Sequence, residues 1–302
     1  MESLEELHQQ LDGVNDLRTI VKTMKALSAA SIRQYESAVT ALTGYYQTVE
    51  RGLHVVLRNY DIPGSPQRSA RRSRRLGAII FGSDHGLCGR FNEELVRYAL
   101  DRMASSPAEA EGRRLLAVGA RATASLEHEG QAIESTYFVP GSAAQITTTV
   151  QQILLKMDEW RERDDVHYVY LFYNRHSGAP RYHPTGVELL PIRLRQFHRL
   201  QEERWPSRSL PTFSMNRETL MRRLLHQYLF VSIFRACAES QASEHTSRLA
   251  AMQSAERNLD DRLEEVTALF RRARQTAITS ELLDVVAGFE AIMARDAPPL
   301  AK

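Results

Sequence analysis

The densest gathering of reactive side chains is a glycine-rich turn, Gly82-Ser83-Asp84-His85-Gly86-Leu87-Cys88-Gly89. An aspartate, a histidine and a thiol in five residues are the types that make a nucleophile with its base, or a metal site. Three glycines between a strand and a helix are also the type of turn that offers backbone N–H groups to a phosphate. Each reading lacks a part. No Lys-Ser or Lys-Thr pair closes the loop, the spacing is not that of a dinucleotide fingerprint, and no second Cys or His stands at ligand spacing. The simpler reading is a tight turn in which Gly82, Gly86 and Gly89 serve backbone shape. The alternative is an α/β nucleotide- or phosphate-binding protein that uses this loop. Ten histidines are scattered without a cluster, and no Ser/His/Asp order or carboxylate pair stands out. The residues therefore predict no catalytic centre, no cofactor and no metal.

The elements around the loop set its place. Leu76–Gly82 reads as a short buried strand, and 92–103 as the helix that follows. Further strands are predicted at 114–118, 133–139, 167–173 and 186–192, with helices at 121–128 and 143–161. Strands alternating with helices predict an α/β layer with a mostly parallel sheet over 76–192.

Both ends of the chain read differently. Residues 1–60 form one predicted helix, opened by a Ser3/Glu6 capping box. Its apolar positions from Ile32 through Tyr35, Val39, Leu42, Tyr46, Val49, Leu53 and Val56 to Tyr60 alternate spacings of three and four. A second such stripe runs from Leu249 through Met252, Leu259, Leu263, Val266 and Phe270 to Ala277, with one charged interruption at Glu256. A mean spacing of about 3.5 residues asks two helices to wind around each other left-handed. The chain therefore predicts an antiparallel coiled coil made of its two terminal helices, 1–60 and 215–294, with Asn216 as N-cap of the second. A basic linker (61–75), an irregular segment (193–214) and a frayed tail (295–302) complete the division. Beyond Ala277 the apolar set becomes Ile278, Leu282, Val285, Phe289 and Ile292, a phase jump of one residue beside Arg274 and Gln275. It is read as turning polar groups outward.

Composition narrows the function classes. Net charge is only +2 despite 39 lysines and arginines, which disfavours a general nucleic-acid binder. A scaffold whose Arg68–Arg75 arm binds acidic partners is the weakest reading for the same reason. Two cysteines, Cys88 and Cys237, read as reduced thiols on the cytosolic side rather than as a disulfide framework. No apolar run approaches the ~18 residues that span a bilayer, so any membrane role is indirect.

Four stretches resemble one family. They are Ile20–Ala30, the Gly82–Asn92 loop, Glu239–His245 with Arg248, Ala251 and Met252, and Asn258–Gly288 with its Arg-Ala-Arg-Gln-Thr-Ala-Ile-Thr core. Together they resemble the γ subunit of F-type ATP synthases, the central rotor stalk, in a divergent branch. The resemblance implies a coiled coil of the terminal helices plus a Rossmann-like α/β body. It implies a non-catalytic subunit of a proton- or sodium-translocating complex. Implied partners are the α and β subunits of the hexamer, the ε subunit and the membrane ring of c subunits. Location would be peripheral, on the cytoplasmic face of a bacterial or archaeal plasma membrane, through the complex only. By position, Met24, Lys25, Arg274, Gln275 and Thr279 are the implied contacts with β-subunit loops. Phe213-Ser214 stands where the family often has Tyr-Glu on the membrane-ring side. Arg90-Phe91 after the glycine loop, and a serine after Ala30, are further departures.

Overall fold

The computed structural model describes residues 3–57, 75–105, 112–176, 182–192, 205, 209 and 211–296, with backbone alone for 290–296. Most of the predicted linker, much of the 193–214 segment and the tail beyond 296 lie outside the described residues. The elements are α1 (Leu4–Leu57), β1 (Arg75–Phe81), α2 (Phe91–Ala104), β2 (Arg114–Val118), α3 (Ala120–His128), β3 (Ser135–Tyr137), a 3-10 turn (Ala143–Gln145), α4 (Ile146–Arg163), β4 (Val166–His176), β5 (Tyr182–Leu190) and α5 (Arg217–Asp296). Two compact units emerge, Leu27–Ala251 and Met1–Ala26 with Met252–Lys302.

In the larger unit the strands form one sheet in the order β3-β2-β1-β4-β5. Neighbours are parallel except β5, which returns antiparallel to β4. β5 begins four residues earlier than the alternation predicts, at Tyr182, and carries Pro184. An edge strand tolerates proline because its outer N–H groups have no ladder partner. β1 is buried on both sides, so its residues sort by parity. Leu76, Ala78 and Ile80 face α2 and α3 through Leu95, Val96, Ala99, Met103 and Leu126. Ile79 and Phe81 face α4, through Val150, Ile153 and Trp160, together with Tyr35 of α1 and Ile233, Ala236 and Cys237 of α5. The Trp160 indole, fully buried, donates to Glu134 at 3.0 Å, which removes the cost of hiding its N–H.

The base of the helix pair belongs to this unit. Tyr35 stacks on His245 with ring centroids 5.7 Å apart, Tyr46 tilts against Tyr228 at 6.3 Å, and Tyr45 donates to Gln227 at 2.6 Å. Val49, Leu53 and Leu57 pack with Leu224, Leu225 and Tyr228. Partners thus run in opposite chain directions. Every described member of the 32–60 stripe is buried or half-buried, and most residues between them are exposed.

The smaller unit repeats the antiparallel order. His8 meets Phe270 edge-on at 6.0 Å, Arg18 pairs with Asp260 at 2.7 Å, and Lys25 pairs with Glu256. The charged interruption of the second stripe is therefore an ion pair across the helix interface. The capping box is present: Ser3 N–H donates to Glu6 at 2.8 Å, and Glu6 N–H to the Ser3 hydroxyl at 3.2 Å. Asn216 caps α5 likewise, accepting from Glu218 N–H at 2.9 Å.

The phase jump near Ala277 falls where the stripe loses its burial. The α5 stripe keeps its burial only to Ala273, and every described residue from Arg274 to Phe289 is exposed. Within this unit Phe270 stands opposite His8, near the start of α1. Among the described residues the second apolar set is the exposed face of the helix end.

Candidate functional site

The glycine loop is built inward. Gly82 sits where the chain leaves β1, and a Cβ there would run into Ala122 and come within 2.6 Å of the Asn92 amide oxygen. Only glycine fits. Asn92, at the start of α2, accepts from Ser83 N–H at 3.0 Å and donates to the Ser83 hydroxyl at 2.9 Å. Gly89 has φ +63°, a conformation that costs glycine nothing. Gly86 has no such φ; a Cβ there would meet only the guanidinium end of Arg121, 2.8 Å away. Leu87 does adopt a positive φ, 64°, and its side chain is exposed.

The reactive groups of the loop are already engaged. Asp84 accepts from Ala120 N–H at the start of α3 and from Val139 N–H, each at 2.9 Å. Its carboxylate thus sits on the N-terminus of α3 and ties the loop to that helix. Cys88 is buried and free, and burial pushes its thiol pKa up, away from nucleophilic range. His85 and Gly86 present carbonyls to Arg248, and the His85 carbonyl also accepts from the Ser83 hydroxyl at 2.9 Å. No group of three or more His, Cys, Asp or Glu suited to a metal occurs among the described residues. A cleft of about 540 Å³ beside the loop, between α2 and α3, carries charges of both signs: Arg97, Arg121, Glu93 and Glu129. The geometry works against a phosphate cradle.

What the loop does hold is α5. Ser240 donates to the Phe81 carbonyl at 2.9 Å, Ser247 to the Cys88 carbonyl at 2.7 Å, and Arg248 to the carbonyls of His85 at 3.1 Å and Gly86 at 3.3 Å. Arg248 is itself held by Glu244 at 2.6 Å, both side chains almost fully buried. Burial raises the Glu244 pKa, and Arg248 pulls against that rise. His245, at 3.4 Å from Arg248, has its pKa lowered to about 4 by burial first and the guanidinium second. On β4, Arg175 donates to Glu239 at 3.1 Å. Sequence reasoning did not find this polar seam. Its only signal was the unusual run of small and polar residues, Glu239–His245, in a helix whose neighbours are apolar.

The other singled-out residues lie elsewhere. Met24 and Lys25 are half-buried, and Lys25 is taken by Glu256. Arg274, Gln275 and Thr279 are exposed. Neither Arg274 nor Gln275 uses its side chain in a hydrogen bond or ion pair among the described residues. The Thr279 hydroxyl donates to the Gln275 carbonyl at 2.8 Å. Around them stand Ile278, Leu282, Leu283, Val285, Val286 and Phe289, between 49% and 66% exposed. Phe213 and Ser214 are exposed just ahead of the Asn216 cap. No described helix is long and apolar enough to cross a membrane.

Antiparallel terminal helices around a Rossmann-like α/β body, with the glycine loop committed to structure, define the architecture of a rotary-ATPase stalk subunit. The family model described as ATP synthase matches residues 3–292, and the chain belongs to that family. It is 28% identical to the ATP synthase gamma chain of Geotalea uraniireducens over 292 residues, 97% of this chain and 99% of that one. It is 29% identical to the gamma chain of Geobacter metallireducens over 296 residues, again 97% and 99%. Among solved structures it is similar in fold to a chain of the Euglena gracilis mitochondrial ATP synthase OSCP/F1/c-ring assembly. The TM-score is 0.67 at 20% identity, covering 99% of this chain and 97% of that one.

Proposed function

We infer that the chain is the central-stalk rotor of an F-type ATP synthase, coupling ion flow through a membrane ring to ATP synthesis or hydrolysis on a hexamer. The observation that carries the detail is the exposed, apolar end of α5. A surface holding Ile278, Leu282, Val285 and Phe289 in the open is expected to be covered in the working assembly. A sleeve formed by α and β subunits fits that need. Arg274 and Gln275, whose side chains have no partner among the described residues, are the polar contacts proposed for β-subunit loops, together with Met24 and Thr279. A guanidinium suits loop carboxylates, which it grips with two parallel bonds. Lys25 reaches such a loop only by sharing or leaving Glu256.

The α/β body and the Phe213-Ser214 side are assigned to the ε subunit and the c ring. Membrane association is then peripheral, on the cytoplasmic face, and the coupled ion is a proton or sodium. The subunit itself is read as non-catalytic. A tagged chain expressed with its cognate α and β subunits should bring both down at a fixed ratio. The isolated chain should not turn over ATP, while the reconstituted complex should. Robust hydrolysis by the chain alone, or failure to retain either subunit, overturns the reading.

A further inference from the structure

The polar seam between α5 and the end of the central strand β1 has a geometry that packing alone does not require. Ser240, Glu244, Ser247 and Arg248 stand at i, i+4, i+7 and i+8, on one face of the helix. The acceptors of the two serines and Arg248, namely Phe81, His85, Gly86 and Cys88, follow one another along the end of β1 and its loop. The donors span about 12 Å of helix. The loop they grip is itself braced, by Asp84 on α3 and Val139 and by Asn92 on Ser83. Apolar contacts resist separation but are non-directional, so a helix can roll or slide on them at small cost. Hydrogen bonds lose strength steeply with angle and distance. Several of them, spread over two turns against a fixed loop, resist rotation about the helix axis and translation along it.

We propose that this clasp is where rotational force crosses between the α/β body and the C-terminal helix, with Arg248 as its positioning residue. The proposal rests on the rotor reading above. Ser240 and Ser247 pin the two ends of the seam. Glu244 holds the guanidinium so that it reaches two loop carbonyls at once. Neither end of α5 takes part, so the clasp is separate from the contacts proposed for Arg274 and Gln275.

The test is the double variant Glu244→Leu/Arg248→Met in the full reconstituted complex. Replacing a buried ion pair by apolar residues of similar size leaves folding largely intact, yet it deletes every bond from Arg248 to the loop. ATP hydrolysis and ATP-driven ion uptake are measured together in sealed vesicles, with the melting temperature of the isolated chain as control. Expected are near-normal hydrolysis and ions moved per ATP reduced about threefold or more. A milder pair, Ser247→Ala/Arg248→Lys, is run in parallel and should give a smaller loss in the same ratio. It decides the question if the first variant does not assemble. Uptake per ATP equal to wild type in an assembled variant overturns the clasp and leaves the rotor reading standing. Wild-type chain that supports no ATP-driven uptake at all overturns the rotor reading, and the clasp with it.

Discussion

His245 accepts a hydrogen bond from Arg248 only while its ring is neutral, and its pKa is held at about 4, below the ordinary 6.5. A lowered folded-state pKa contributes stability that is present above the unfolded value and lost as pH falls through the folded one. The window is therefore pH 6.5 down to about 4. His245→Gln, which keeps an acceptor but cannot take the charge, should flatten the fall in melting temperature across that window relative to wild type. Identical pH profiles would remove His245 from the account. Arg274 is the opposite case, exposed and with no side-chain partner among the described residues. Arg274→Ala should change chain stability by no more than about 0.5 kcal/mol, while coupled ATP synthesis by the complex falls several-fold. A large shift in unfolding with normal synthesis would show that the side chain serves the fold instead.

At the scale of elements, the helix pair is tuned by its one charged layer in the α5 stripe. Glu256 stands in an apolar row, and its pKa is lowered chiefly by the hydrogen bond from Lys25. Lys25→Met should lower the melting temperature, and adding Glu256→Leu should restore it, because the row is then apolar on both sides. If the double change is no better than the single one, the pair is not coupled. Ending the chain after Ala273 tests the exposed end of α5 as an element. No described residue beyond it is buried, so the melting temperature should move by less than about 4 °C, whereas retention by the α/β hexamer should weaken sharply. The stripes, caps and strands were legible because each is a local pattern of two to four residues. Pro184 hid the first four residues of β5, since its tolerance depends on an edge position that only the assembled sheet defines. The phase jump beside Arg274 and Gln275 was legible, but the end of burial at Ala273 was not, because exposure is set by what lies across the helix and not by the spacing of its own residues.

Taken whole, the molecule divides into two units whose cores are unlike. One is a layered body with aromatic and branched residues on both sheet faces, the other a pair of helices joined by a thin row of contacts. The family and the architecture were legible from four stretches spread over the chain. The polar seam was not, because its partners lie about 160 positions apart in sequence. Asp84, His85 and Cys88 drew attention as reactive types, but their partners are backbone N–H groups and a distant helix. At this scale the isolated chain should release no phosphate from ATP at any loop variant, Gly86→Val included, with hydrolysis appearing only after α and β subunits are added.

Both native thiols, Cys88 and Cys237, are shut inside the body, and burial pushes both pKa values up. A cysteine introduced at Thr279, out in solvent, would therefore outpace them with maleimide dyes by a wide margin. The natural protein is thus already a quiet background for a single fluorescent reporter, so turning could be watched optically without first deleting either native sulfhydryl.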